Sequence, residues 1–204
     1  MLQKQAVNTE LLDLLSKLMA HDTFSNFNLV GGTSLALQIG HRVSIDIDLF
    51  GSCELDELEF TRTISELGKT IVIKKSKNIL VYMVNDIKVD FVNYPYEWID
   101  SPNNEETIRL AGKKDIGAMK LNAIAGRGSK KDFIDLYFLL KTFSLNDLLK
   151  FYLQKYPGGS EFLVLKSLSY FDDADDELSP KMLIAVEWEE IKTHILDQVK
   201  TYLK

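Results

Sequence analysis

Two hydrophobic periods share this chain. Residues 9–19 repeat apolar positions at helical spacing, with Asn8 or Thr9 placed to cap the start. Residues 27–30 form a short strand that Gly31-Gly32 breaks, and the pattern then predicts a helix over 33–39 ended by Gly40. Residues 44–50, SIDIDLF, alternate at period two and predict a strand with Ile45, Ile47 and Leu49 facing a core. Residues 55–67 are helical, followed by Gly68. Residues 70–73 are strand-like. The apolar runs 79–84 and 87–94 meet at Asn85-Asp86, a turn dipeptide, and predict a β-hairpin. Pro95 and Pro102 mark a loop.

The second half changes to period 3.6. A helix is expected over 116–125 with Asp115 as its cap, then an interruption at Gly126-Arg127-Gly128-Ser129, then a helix over 130–143. Ser144 and Asp147 have the spacing of a capping box for a helix over 144–156. Residues 161–170 are helical, and the acidic run FDDADDELS reads as a loop. Ser179-Pro180 opens a further short helix, and 187–203 is the last. The whole is α+β: a small mixed sheet flanked by helices, then a helical tail. The expected division is a core over 1–143 and a helical C-terminal region over 144–204 packed on it.

Composition narrows the function classes. Of 204 residues, 46% are apolar, enough to fill a sizeable core. A net charge of -6 argues against a protein that coats nucleic acid nonspecifically, while leaving room for a local basic site. The single cysteine, Cys53, excludes an internal disulfide, and three scattered histidines make no zinc cluster. No run has the length of a membrane span and no signal peptide is evident, so a cytoplasmic location and no membrane partner are expected.

The chemistry concentrates in LVGGTSLALQIGHRVSIDIDLF, residues 29–50. In a strand, Asp46 and Asp48 project from one face. Side by side they repel unless a positive group lies between them, and a hard divalent cation suits two carboxylates. The other reading is an amphipathic strand with its polar face in solvent. Asp90, between Val89 and Phe91, could converge on the same place or be a lone polar residue. Gly31-Gly32-Thr33-Ser34 stands where a strand enters a helix, so backbone N–H groups and a hydroxyl could face a phosphate; a plain tight turn would look the same. Farther on, Lys113, Lys114, Lys120, Arg127, Lys130 and Lys131 face only one acid, Asp115, within 113–131. That block is either a solvated helix pair or a phosphate clamp.

The glycine turn, short helix and Asp-x-Asp strand resemble the DNA polymerase β-like nucleotidyltransferases. The longer string GGTSLALQIGHRVSIDIDLF, together with DIGAMKLNAIAGRGSKKDFIDLYFLL, is similar to the AbiEii/AbiGii toxin branch of that superfamily. The resemblance implies a nucleotidyltransferase fold and transfer of a nucleoside monophosphate from an NTP to an RNA, possibly tRNA, or protein acceptor. It implies Mg²⁺ on Asp46, Asp48 and Asp90, with Gly31, Gly32, Thr33 and Ser34 on the phosphates. Lys120 and Asp132 join the catalytic set, Arg42, Arg127 and Lys131 the nucleotide contacts. It also implies a toxin accompanied by a DNA-binding antitoxin. Two alternatives stay open: a noncatalytic nucleotide-sensing or partner-binding module, and an antibiotic-modifying nucleotidyltransferase.

Overall fold

The computed structural model describes residues 1–204. They form two units, Met1–Tyr96 with Pro102–Ala111, and Glu97–Ser101 with Gly112–Lys204. The chain passes between them three times. The long helices of the basic block pack with the C-terminal helices, and the last passage between the units falls at residues 111–112.

The first unit begins with α1 (Thr9–Ala20), capped by Asn8, whose Oδ1 accepts the Leu11 N–H at 2.7 Å. Its elements continue as β1 (Asn28–Leu29), α2 (Gly31–Ile39), β2 (Asp46–Gly51) and α3 (Glu57–Ser65). Then come β3 (Thr70–Ser76), β4 (Ile79–Val84), β5 (Ile87–Asn93), β6 (Asn103–Glu105) and β7 (Ile108–Leu110). All seven strands form one mixed sheet in the order β3-β4-β5-β2-β1-β7-β6. β2 runs parallel to β5, and β1 parallel to β7; the other neighbours are antiparallel. A parallel pair needs a long crossover. The α3 helix and the β3–β4 hairpin supply it between β2 and β5.

The sheet's buried face fixes everything on the other one. Ile47 and Leu49 of β2 and Val89 and Phe91 of β5 are fully buried. Phe91 packs against Phe24, Phe27 and Phe60 with ring centroids 4.8, 5.3 and 5.1 Å away. Each buried aromatic contributes roughly 1.5–3 kcal/mol through area alone. A one-residue slip of β5 would expose this cluster, so the register is strongly held.

The hairpin turn is as expected: Asn85 and Asp86 have φ of 47° and 65°, the left-handed geometry that matches strand twist. Gly40 ends α2 at φ 66°. Other expectations need correction. Ile45 does not face the core: it is 69% exposed and precedes β2. The chain there is tied to the N-terminal segment, Ser44 N donating to Ala6 O at 2.8 Å, and joins the sheet only at Asp46. The loop after Pro95 contains the β6–β7 hairpin, turned at Glu106 with φ 56°.

The second unit comprises α4 (Lys113–Gly126), α5 (Lys130–Leu139), α6 (Leu145–Lys155), α7 (Glu161–Ser167), α8 (Asp172–Asp175) and α9 (Trp188–Tyr202). The capping box at α6 forms, with Ser144 and Asp147 exchanging bonds. The acidic run holds the single turn α8, and no helix begins at Ser179-Pro180; the next is α9. Asp115 is not a cap. Gly112 holds that position, and Asp115 lies fully buried in the first turn of α4. Its carboxylate accepts from Ile99 N at 2.9 Å, Asp100 N at 3.1 Å and Lys155 Nζ at 2.7 Å. The Lys155 ammonium also donates to Glu97 O and lies 4.7 Å from the Trp98 ring centroid. Burial pulls Lys155 below its ordinary pKa, and Asp115 pushes back. The strap of residues 97–101 is thereby fastened to α4 and α6.

Candidate functional site

In the first unit, parallel pairing sets Asp46 beside Lys88 and Asp48 beside Asp90. Paired residues of neighbouring strands share a face. Asp46, Asp48, Lys88 and Asp90 are therefore on the face opposite Ile47, Leu49, Val89 and Phe91, and all four are half-buried. The alternation of β2 and β5 produces this directly from sequence.

The start of α2 closes on the same face. Val30 N donates to Asp48 O at 2.9 Å, which ties the strand-to-helix turn to β2. Gly31 has φ 65°, and a Cβ there would lie 2.6 Å from Asp48 Oδ2. Only glycine lets the backbone and this carboxylate approach so closely. Gly31→Ala is expected to lower stability by about 1–2 kcal/mol through the left-handed φ and to displace the Asp48 carboxylate. Gly126→Ala, with nothing within 4 Å of the added Cβ, serves as the control. Thermal unfolding of the two variants checks this; equal melting temperatures would remove the constraint.

The two hydroxyls after the glycines are turned inward. Thr33 is 1% exposed; its Oγ1 bonds Ser44 Oγ at 2.8 Å and the Asp46 carbonyl. Ser34 is fully buried and accepts from Gln38 Nε2 at 3.2 Å. Thr33 fixes α2 against the entry to β2, the Ser34 bond stays within α2, and the backbone of Gly31 and Gly32 is left as the outward feature. Arg42 is buried too, with Nη1 donating to Val43 O at 3.1 Å, and His41 beside it is fully buried.

A hard cation suits the donor set here: three carboxylates on one face of two paired strands. Asp90 Oδ1 is buried with no hydrogen-bond partner, an acceptor with capacity left for a positive group. The carboxylates are nevertheless not drawn into a cluster of three that could hold an ion. Lys88 Nζ stands 2.6 Å from Asp90 Oδ2. The sequence reading missed Lys88, although the same alternation that faces Asp90 outward faces Lys88 with it.

In the second unit, the predicted charges form a different kind of group. Lys120 is 5% exposed, and its Nζ bridges Asp132 Oδ1 at 2.9 Å and Asp135 Oδ2 at 2.6 Å. Asp132 also accepts from Arg127 Nε at 2.9 Å, Arg127 Nη2 at 3.3 Å and Ser129 Oγ at 2.8 Å. Both aspartates are fully buried. Burial alone would raise the Asp132 pKa, but Lys120 and Arg127 overcome it and hold the group at about 2. Lys120 is thus neutralised within a buried network, while Arg127 and Lys131 are exposed. Lys130 is no part of a clamp: its ammonium holds the carbonyls of Asp175 and Glu177 and stands 5.3 Å from the Trp188 ring centroid.

Comparison with known proteins identifies the fold. A candidate nucleotidyltransferase from H. pylori has the same fold, with a TM-score of 0.60 at 18% identity, covering 94% of this chain and 91% of that one. The antibiotic-resistance factor ANT(2″)-Ia shares it with a TM-score of 0.54 at 16% identity, over 71% of this chain and 90% of that one. The fold is that of nucleotidyltransferases. More specifically, the chain belongs to the AbiEii family, the nucleotidyl transferase toxins of type IV toxin–antitoxin systems, whose profile matches residues 13–202. A relative in Aquifex aeolicus (strain VF5), an uncharacterized protein, is 37% identical over 198 residues, covering 94% of this chain and 95% of its own. Membership implies an antitoxin partner. No helix is long and apolar enough to cross a membrane.

Proposed function

We propose that this protein is a metal-dependent nucleotidyltransferase that moves a nucleoside monophosphate from an NTP to an RNA or protein acceptor, releasing pyrophosphate. It acts as the toxin beside a cognate DNA-binding antitoxin in the cytoplasm. The observation that carries this reading is the register of β2 and β5, which sets Asp48 beside Asp90 with Asp46 two residues away on the same face.

Asp46, Asp48 and Asp90 are the residues that would hold Mg²⁺, and the ion would offset the charge of the triphosphate. Gly31 and Gly32 let the triphosphate approach the backbone at the start of α2. Thr33 and Ser44 position this device by locking α2 to the entry of β2. Catalysis of this kind asks for alignment and charge stabilisation rather than covalent chemistry from the protein. Within the second unit, Arg127 and Lys131 are exposed cations, and Lys120 and Arg127 share Asp132 as their acceptor.

The test is transfer of label from each of four α-labelled NTPs to bulk tRNA, to total protein and to an aminoglycoside. Label is expected on RNA or protein, and Asp46→Ala is expected to lower it by about a hundredfold, the scale of losing a transition-state charge contact. Labelling that survives in Asp46→Ala, or that falls only on the aminoglycoside, would sink the reading.

A further inference from the structure

We propose that Lys88 is a built-in counter-ion of the carboxylate site, a side chain that occupies the place of a divalent cation and sets how tightly one binds. The inference rests on the nucleotidyltransferase reading of that site and deepens it.

Lys88 and Asp90 belong to the same strand and the same face, and the ammonium is 2.6 Å from Asp90 Oδ2. Across the ladder, the Cα partner of Lys88 is Asp46 and that of Asp90 is Asp48. One ammonium therefore shares a face with three carboxylates. The pairing is one-sided. Lys88 engages Oδ2 of Asp90, while Oδ1 is buried and has no partner. A charged carboxylate that met only structural needs would have both oxygens satisfied. Here one oxygen is held by a lysine and the other is left over, and no three carboxylates stand close enough to hold an ion.

The Lys88 side chain is 39% exposed, against 20% for Asp90. It is long, flexible and reaches solvent, so it can leave Asp90 without unpacking the core. Val89 and Phe91, which carry the β5 backbone, are fully buried on the other face and stay fixed. A divalent ion entering the face must displace this ammonium or bind beside it. Either way the lysine opposes the ion, because like charges within a few ångströms in a half-buried site repel strongly. In the ion's absence the same lysine offsets the charge of Asp90. The site thus selects for cations that outcompete a primary ammonium.

The test is Mn²⁺ binding to the full chain without nucleotide or acceptor, followed by electron paramagnetic resonance of free Mn²⁺. Lys88→Met is expected to bind Mn²⁺ roughly tenfold more tightly than wild type, and Lys88→Arg within about twofold of wild type. Without metal, Lys88→Met should melt below wild type, with a larger upward shift on adding Mn²⁺. Lys88→Gln is the substitute if the methionine variant does not fold by circular dichroism. Equal or weaker Mn²⁺ binding in the neutral variants, or no binding in any variant, overturns the proposal. Tighter binding in Lys88→Met without nucleotide transfer by wild type would leave Lys88 as argued and remove the enzymatic reading instead.

Discussion

Lys155→Met is expected to unfold in markedly less urea than wild type, with a loss of about 3–5 kcal/mol, the cost of leaving a buried charge without its partner. The pair it breaks is fully buried on both sides, Lys155 Nζ lying 2.7 Å from Asp115 Oδ1. After the substitution, Asp115 keeps two backbone donors, Ile99 N and Asp100 N, which stabilise it only in part. Asp115→Leu combined with Lys155→Met removes both charges, so its loss should be clearly smaller than the sum of the single losses. Both tryptophans, Trp98 and Trp188, belong to the second unit, so their fluorescence follows the affected part. Hydrogen exchange adds a local reading: the Ile99 and Asp100 amides should lose protection in Lys155→Met. A shift under about 1 kcal/mol, the scale of an exposed pair, would show that the charges do not depend on each other.

The second large effect concerns Asp132. Its pKa is about 2 in the folded protein and 3.8 in the reference state. A folded value below the unfolded one means the group adds stability that is complete above about pH 5 and is lost as pH falls through 2. At one tenfold change in equilibrium per unit, the contribution is roughly 2–3 kcal/mol. Asp132→Asn should cost about 3 kcal/mol at pH 7, since Lys120 then keeps only Asp135 and Arg127 loses its acceptor. The gap between wild type and variant should close as pH falls from 4 to 2. Urea titrations at pH 7, 4 and 3 check this; a gap that stays constant with pH would contradict the electrostatic account.

Where the sequence was informative, the cause was local. The period of β2 and β5 placed three aspartates on one face, and Asn85-Asp86 and Ser144-x-x-Asp147 marked a turn and a cap through their own side chains. The remainder depends on partners distant in the chain. Nothing near Asp115 reveals that Lys155, 40 residues on, ends beside it. Lys120 looked like a free cation because Asp132 and Asp135 reach it only after α5 folds back on α4. Thr33 and Ser34 looked like phosphate donors, but both are buried, Thr33 Oγ1 donating to Ser44 Oγ and Ser34 Oγ accepting from Gln38 Nε2. Ile45 broke its period because the segment before β2 bonds to Ala6 instead of the sheet. The β6–β7 hairpin escaped notice because strands of three residues each carry too little alternation to register.

The path of the chain, which leaves the first unit at residue 96, returns at 102 and leaves again at 111, has an evolutionary consequence. Neither unit is one uninterrupted stretch of gene. A single recombination joint cannot exchange one for a homologous copy without also dividing the strap that carries Ile99 and Asp100 from the α4 carboxylate that receives them. A protease cutting once between residues 111 and 112 would likewise yield fragments that still hold each other through residues 97–101, a nicked protein rather than two separate ones.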